Sequence, residues 1–215
     1  MQTLFAYITW DASPEIVSIG PLTFRWYGLL FAAGFLIGLY MVRRMFKEEK
    51  APDAWLDKAF IYVVVGAVLG ARLGHVFFYD WEYYSKNLAE IPMVWRGGLA
   101  SHGGAIGIIL ALWIYSRTVT KKSILWILDK VVVPTALAGC FIRLGNLMNS
   151  EILGKPADVP WAFVFVREDE VPRHPVQLYE SLSYLAIFFI LYYVYWKTNK
   201  RHKPGYIFGL FLALV

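Results

Sequence analysis

The stretch RLGNLMNSEILG, residues 143–154, sets an arginine, two asparagines and a glutamate where a long apolar run gives way to a polar one. A charge near the centre of a bilayer costs roughly 2.5–3.5 kcal/mol on insertion scales, so polar residues in spans usually face an interior and serve a purpose. A guanidinium stays charged and presents a planar fork of donors matched to carboxylate or phosphate oxygens. Arg143 therefore points to an anionic partner held at membrane depth. Other polar candidates are Tyr27 in FRWYG, Arg72 and His75 three apart on one helix face, His102 in HGGAIG, and Arg173, His174, Gln177, Tyr179 and Glu180 in RHPVQLYE. Though distant in sequence, these segments all fall at one end of the expected bundle, and a shared polar cavity is the economical expectation.

Each candidate also has a plainer reading. Arg143 could snorkel to the outer headgroups, although the flanking Asn and Glu argue for an organised site. Arg72 and Glu180 could form a structural ion pair between helices. His75 reads as a packing histidine rather than a base, and Tyr27 and Trp26 could be ordinary interface aromatics. His102 is better placed for function, since Gly103 and Gly104 beside it are expected to leave its ring open to a ligand. Cys140 sits in an apolar run and reads as a small buried hydrophobe.

The elements that must position these residues follow from composition. The chain is 58% hydrophobic and 18% aromatic, with a mean hydropathy of +0.49. Soluble domains are roughly half apolar, so this is a membrane composition. One cysteine in 215 residues excludes an intrachain disulfide. The net charge of +5 is explained by loop topology, and no nucleic-acid module is evident. The four histidines form no helical His-x-x-x-His pair, and neither a Gly-rich phosphate loop nor a Ser elbow is found. No metal, cofactor or nucleic-acid partner is expected. Nor is a cleavable signal peptide, because the first residues lack a basic stretch and Asp11 and Glu15 precede the first apolar run.

A spanning helix needs about 20 mostly apolar residues. Six runs qualify or begin to: Phe24–Val42, Ala59–Phe78, Leu99–Tyr115, Ile124–Leu147, Val176–Trp196, and one from Tyr206 that stops at Val215. The last reaches only about 15 Å at about 1.5 Å per residue, and a longer helix is expected to continue it. The fold class is all-α, a polytopic helical membrane protein with a single integral membrane domain over residues 1–215. Basic residues follow the first, third and fifth runs, while the intervening loops are comparatively acidic. The positive-inside rule then puts the N-terminus outside. Glycines four apart, Gly34 and Gly38, Gly66, Gly70 and Gly74, Gly103 and Gly107, predict close helix packing.

Taken together, FRWYG, GARLGHVFFY, GGLASHGGAIG, RLGNLMNSEILG and RHPVQLYE resemble the prolipoprotein diacylglyceryl transferase family, in family order and through nearly the whole chain. The resemblance implies a seven-helix bacterial inner-membrane enzyme with its site toward the outer half. It implies movement of the diacylglyceryl group of phosphatidylglycerol to the lipobox cysteine of a prolipoprotein, with a thioether formed and glycerol phosphate released. On that resemblance Arg143 takes the phosphate, with Asn146, Asn149, Gly154 and Arg72 completing the phosphatidylglycerol site. Glu151 orients Arg143, Tyr27 contacts headgroup or substrate, and His174, Gln177, Tyr179 and Glu180 support the site.

A free thiol titrates near pH 8.5, so something must take its proton or stabilise its anion. His102 is the candidate base; the rival is the positive potential around Arg143. Two positions depart from the family pattern, Ile142 where Gly is usual and Leu147 where Phe is usual, and both are expected to reshape packing without abolishing the pocket. Family members continue through a further helix bearing another arginine and a nearby acidic residue. The competing reading is a small transporter or channel with an Arg/His/Glu pathway, which calls for polar residues at midplane depth and on both sides. A purely structural scaffold would leave the crowding of Arg143, Asn146, Asn149 and Glu151 unexplained.

Overall fold

The computed structural model describes residues 7–20 and 22–215; residues 1–6, on which the signal-peptide expectation partly rests, lie outside them. The expected helices form close to their expected limits. They are α1 (Trp26–Glu48), α2 (Asp53–Phe78), α4 (Ser101–Tyr115), α5 (Ile124–Met148), α6 (Val176–Lys197) and α7 (Tyr206–Leu214), while the single turn α3 (Trp81–Tyr84) was not expected. Five are long and apolar enough to cross a membrane, α4 counting through Thr120 by way of a π-helical turn. The protein is therefore an α-helical, polytopic membrane protein.

The strands β1 (Ile8–Trp10), β2 (Glu15–Ile19), β3 (Leu22–Arg25), β4 (Phe163–Phe165) and β5 (Pro172–Arg173) were not expected. Phe24, assigned to the first apolar run, lies in β3, so α1 starts two residues later at Trp26. A run of apolar residues does not by itself separate a short exposed strand from a helix start.

The chain folds as two compact units, residues 1–41 with 130–215 and residues 42–129. In the first, β1 pairs in parallel with β4, and β4 pairs antiparallel with β5. Leu147, Phe163 and Phe165 form a small buried core, with Trp10, Leu153 and Leu178 packed on it. Leu147 is thus a packing residue, as expected for its departure from the family pattern. Along α1, a Cβ on Gly34 would stand 3.1 Å from the Phe141 ring, and one on Gly38 would stand 3.2 Å from Cβ of Pro134. Pro134 lies inside α5, and Gly38 gives its ring room.

In the second unit α2 and α4 meet along their glycines. A Cβ on Gly70 would come within 2.7 Å of Gly107 Cα, and one on Gly74 within 2.7 Å of Gly103 Cα. Helix backbones in lipid gain attraction only from such close packing, since lipid tails are as apolar as leucine. The Gly70→Leu variant is expected to lose thermal stability in detergent, by about 3 kcal/mol or more, because the obstacle is backbone and cannot yield. Gly28→Ala serves as the contrast: its Cβ meets nothing within 4 Å, and it should be neutral or gain up to about 1 kcal/mol. A melting temperature unchanged in Gly70→Leu would remove the argument.

Candidate functional site: the C-terminal turn of α5

The polar motif is shaped by how α5 ends. Ser150 N–H bonds Leu147 O at 3.1 Å, and Glu151 N–H bonds Asn146 O at 3.0 Å. This is the Schellman pattern, which needs a left-handed residue where glycine is usual. Here Ser150 takes that conformation with φ +55°, and Ile152 follows at φ +56°. A β-branched residue at positive φ is uncommon, and strain of this kind costs roughly 1–3 kcal/mol, borne only where surroundings over-determine it. The double reversal turns Glu151 back toward the helix it has just left.

As a result, Asn146 Nδ2 donates to Glu151 Oε1 at 2.8 Å, and Asn149 Nδ2 donates to the same oxygen at 3.2 Å. Arg143 Nη1 donates to Asn146 Oδ1 at 3.4 Å, one turn back. The direct acidic partner of Arg143 is Glu180 on α6, with Nε 2.6 Å from Oε2. Glu151 was expected to orient the arginine; it reaches Arg143 through Asn146, and Glu180 makes the ion pair. Glu180, which on the plainer reading could have paired with Arg72, pairs with Arg143. The Arg143 side chain remains 26% exposed, and among the described residues no bond to its Nη2 is recorded. A second anion can therefore approach the open side of the fork.

The turn is held from several directions. Gln177 Nε2 donates to Glu151 O at 2.7 Å, and Trp10 Nε1 donates to Leu147 O at 3.0 Å. Tyr27 lies against Gly145, where a Cβ would stand 2.7 Å from its ring. Gly154 is buried against Val176 and the His174 carbonyl, and its own carbonyl accepts from Arg173 Nη1 at 3.1 Å. Tyr179 Oη accepts from Trp161 Nε1 at 2.7 Å and lies 3.2 Å from His174 Nδ1. Buried Asn149 Oδ1, Ser150 Oγ and Gln177 Oε1 have no hydrogen-bond partner among the described residues, and native proteins tolerate such groups mainly at functional or strained sites. Cys140 is buried, its Sγ 3.1 Å from Ser181 Oγ.

Trp10 and Asp169 were missed as supports, and Arg173, named among the polar candidates, was given no role there. Trp10 and Asp169 lie outside the five motifs, and nothing local in the sequence ties an N-terminal tryptophan to the end of α5.

In the other unit, Arg72 is 2% exposed. Its Nε donates to Ile91 O and its Nη2 to Glu90 O, both at 2.7 Å, and its Nη1 donates to the carbonyls of Gly97 and Gly98. Its guanidinium also lies 4.8 Å from the Tyr84 ring centre. Arg72 was expected to bind phosphatidylglycerol; here its donors are directed at the carbonyls of the loop that follows α3. In that loop the Arg96 guanidinium beside Glu90, aided by the Tyr83 hydroxyl, holds the Glu90 carboxyl below the usual range. His75 packs on Tyr79 and Tyr84, the bland reading given to it.

His102 is exposed in the first turn of α4, beside Phe78 and Tyr79 with ring centres 5.6 and 5.5 Å away. Gly103 and Gly104, expected to leave its ring open to a ligand, also have a packing role. They are buried against α2 and set helix spacing.

The Asp169–Arg173 pair clamps the strand leading to Gly154. Arg173 Nε lies 3.1 Å from Asp169 Oδ2, and Val171 N–H donates to Asp169 Oδ1 at 3.1 Å. The Arg173 guanidinium holds the Asp169 carboxyl below its ordinary value. A depressed carboxyl contributes stability above its unfolded value, about 3.9, and loses it as pH falls through the lower folded value. The protection factor of the Val171 amide, its exchange rate corrected for the intrinsic pH dependence of amide exchange, should therefore stay constant from neutral pH down to about 4, then fall. Asp169→Asn should exchange faster at neutral pH and lack the acid transition; equal protection in both proteins would sink the clamp.

The chain is similar in sequence to known proteins. Residues 14–215 match the family model described as prolipoprotein diacylglyceryl transferase. Proteins called phosphatidylglycerol–prolipoprotein diacylglyceryl transferase show the same likeness. The one from Chloroherpeton thalassium is 50% identical over 98% of this chain and 78% of its own length. That of Tolumonas auensis is 49% identical over 96% and 80%, and that of Porphyromonas gingivalis 50% over 99% and 79%. With matched residues covering nearly its whole length, this chain belongs to the prolipoprotein diacylglyceryl transferase family.

Proposed function

We propose that this chain carries out the reaction its relatives are named for, transfer of the diacylglyceryl group of phosphatidylglycerol to a prolipoprotein, the acceptor being the thiol of a lipobox cysteine. The thiolate attacks the glyceryl carbon that bears the phosphate ester. A C–S bond forms, the C–O bond breaks, and the phosphate leaves with the electron pair and its glycerol. The setting is the bacterial inner membrane, with the N-terminus outside and the site toward the outer half.

The observation that carries the reading is Arg143, anchored by Glu180 through Nε and half open beyond it. Charge grows on the leaving phosphate in the transition state, and a pre-positioned guanidinium in a water-poor site stabilises that growth. Asn146 and Asn149, pinned on Glu151, give the fork a fixed neighbour and add donors to the headgroup. Tyr27, against Gly145, meets the headgroup or the acceptor. Gly154, Gln177, Tyr179 and His174 hold the turn. Arg72 acts as a positioning residue for its loop, and His102 takes the thiol proton.

Transfer of labelled glyceryl lipid to a lipobox peptide tests the assignment. Arg143→Ala should lower kcat/KM by about two to three orders of magnitude, roughly 3–4 kcal/mol of transition-state stabilisation. Glu180→Gln should cost about tenfold alone and nothing further in the Arg143→Ala background, because it acts through Arg143. Additive losses would overturn its positioning role, and full activity of Arg143→Ala would overturn the site.

His102→Gln should be slow near neutral pH and recover as pH rises toward about 8.5, where a free thiol ionises without help. A loss equally deep at every pH would assign His102 to binding instead and leave deprotonation to the field of Arg143.

A further inference from the structure

The β2–β3 hairpin plays no part in the chemistry above, yet its register sorts its side chains completely. Ile19 pairs with Leu22, Ser18 with Thr23 and Val17 with Phe24, and an irregularity between Glu15 and Val17 brings Glu15 opposite Arg25. Because strand side chains alternate, Val17, Ile19, Leu22 and Phe24 share one face. The other face carries Ser18 Oγ 3.1 Å from Thr23 Oγ1, and Arg25 3.5 Å from Glu15. The irregularity at Ile16 matters, since an unbroken register would set Ile16 opposite Arg25 on the polar face.

The apolar face is uncovered. Val17 is 47% exposed, Ile19 63%, Leu22 64% and Phe24 52%. A two-stranded hairpin is marginal in water, and a clean apolar face left open on it marks a contact surface. The hairpin is fixed at its base, since Trp26 N–H donates to Pro14 O at 3.0 Å, and α1 begins without a linker. Exposed Trp26, Leu29, Phe31, Phe35 and Leu36 continue the apolar surface down that spanning helix. Tryptophan at a span's start is the residue type that settles at headgroup level.

We infer that the β2–β3 hairpin lies in the membrane interface, its Val17–Ile19–Leu22–Phe24 face resting on the boundary between headgroups and acyl chains of the leaflet in which α1 begins. The Ser18–Thr23 and Glu15–Arg25 face then looks to water. The bilayer supplies the second layer that a lone hairpin lacks. It also fixes the depth of Tyr27, two residues beyond β3 and packed on Gly145.

The test uses the whole chain in phosphatidylglycerol/phosphatidylcholine vesicles, with Cys140→Ala removing the native thiol. An environment-sensitive fluorophore is attached at Leu22→Cys and, in a separate protein, at Thr23→Cys. The expected result is blue-shifted emission at position 22, quenched several-fold more by lipids spin-labelled near the headgroup than by aqueous iodide, with the order reversed at position 23. Iodide quenching equal at both positions would put the apolar face in water and overturn the inference. A shielded position 22 that neither quencher reaches would also overturn it, assigning the face to protein, either a second copy or the acceptor polypeptide. Neither readout depends on transfer, so a failed transferase assay leaves this result standing.

Discussion

Two backbone hydrogen bonds at the end of α5 govern the site: Ser150 N–H to Leu147 O and Glu151 N–H to Asn146 O. They close the helix and use a non-glycine residue in left-handed space to do so. Had the helix frayed or run on, Glu151 would not face Asn146 and Asn149, and Gln177 would not meet the Glu151 carbonyl. Leu147 holds the turn from below through its small core with Phe163 and Phe165. Strain in the turn and packing under it belong together, since a costly conformation persists only where its surroundings insist on it.

Two arginines in this chain show how differently the same side chain is used. Arg72 is buried, with its donors directed at loop carbonyls, so it organises backbone. Arg143 is anchored on one edge and open on the other, so it retains donors for a ligand. A buried cation with its donors satisfied holds structure, whereas one with an open edge can still accept an anion. The packing of α2 on α4 serves a separate purpose: glycine against glycine replaces the hydrophobic drive that lipid removes.

Much of this was legible in the residues. Apolar runs of spanning length gave five helices, because a single continuous segment of that length satisfies its own backbone groups inside lipid only as a helix. Glycine spacing foretold close packing, and the motif at 143–154 foretold a polar cluster. The family resemblance rested on those same motifs, and the comparisons agree with it. The strands escaped notice because they cover only two to five residues each, too few for an alternating pattern to stand out.

By itself, then, the sequence determined the span pattern, the crowding of Arg143, Asn146, Asn149 and Glu151 at one helix end, and the family. Those are local properties, set by hydropathy over about 20 residues and by spacing within a turn or two. Only the tertiary structure decided the partners: Glu180 rather than Glu151 for the ion pair of Arg143, loop carbonyls for Arg72, and Gly70 and Gly74 against Gly103. Choosing among partners far apart in sequence depends on which helix faces meet and on where one backbone reversal sends a side chain. No local pattern encodes that.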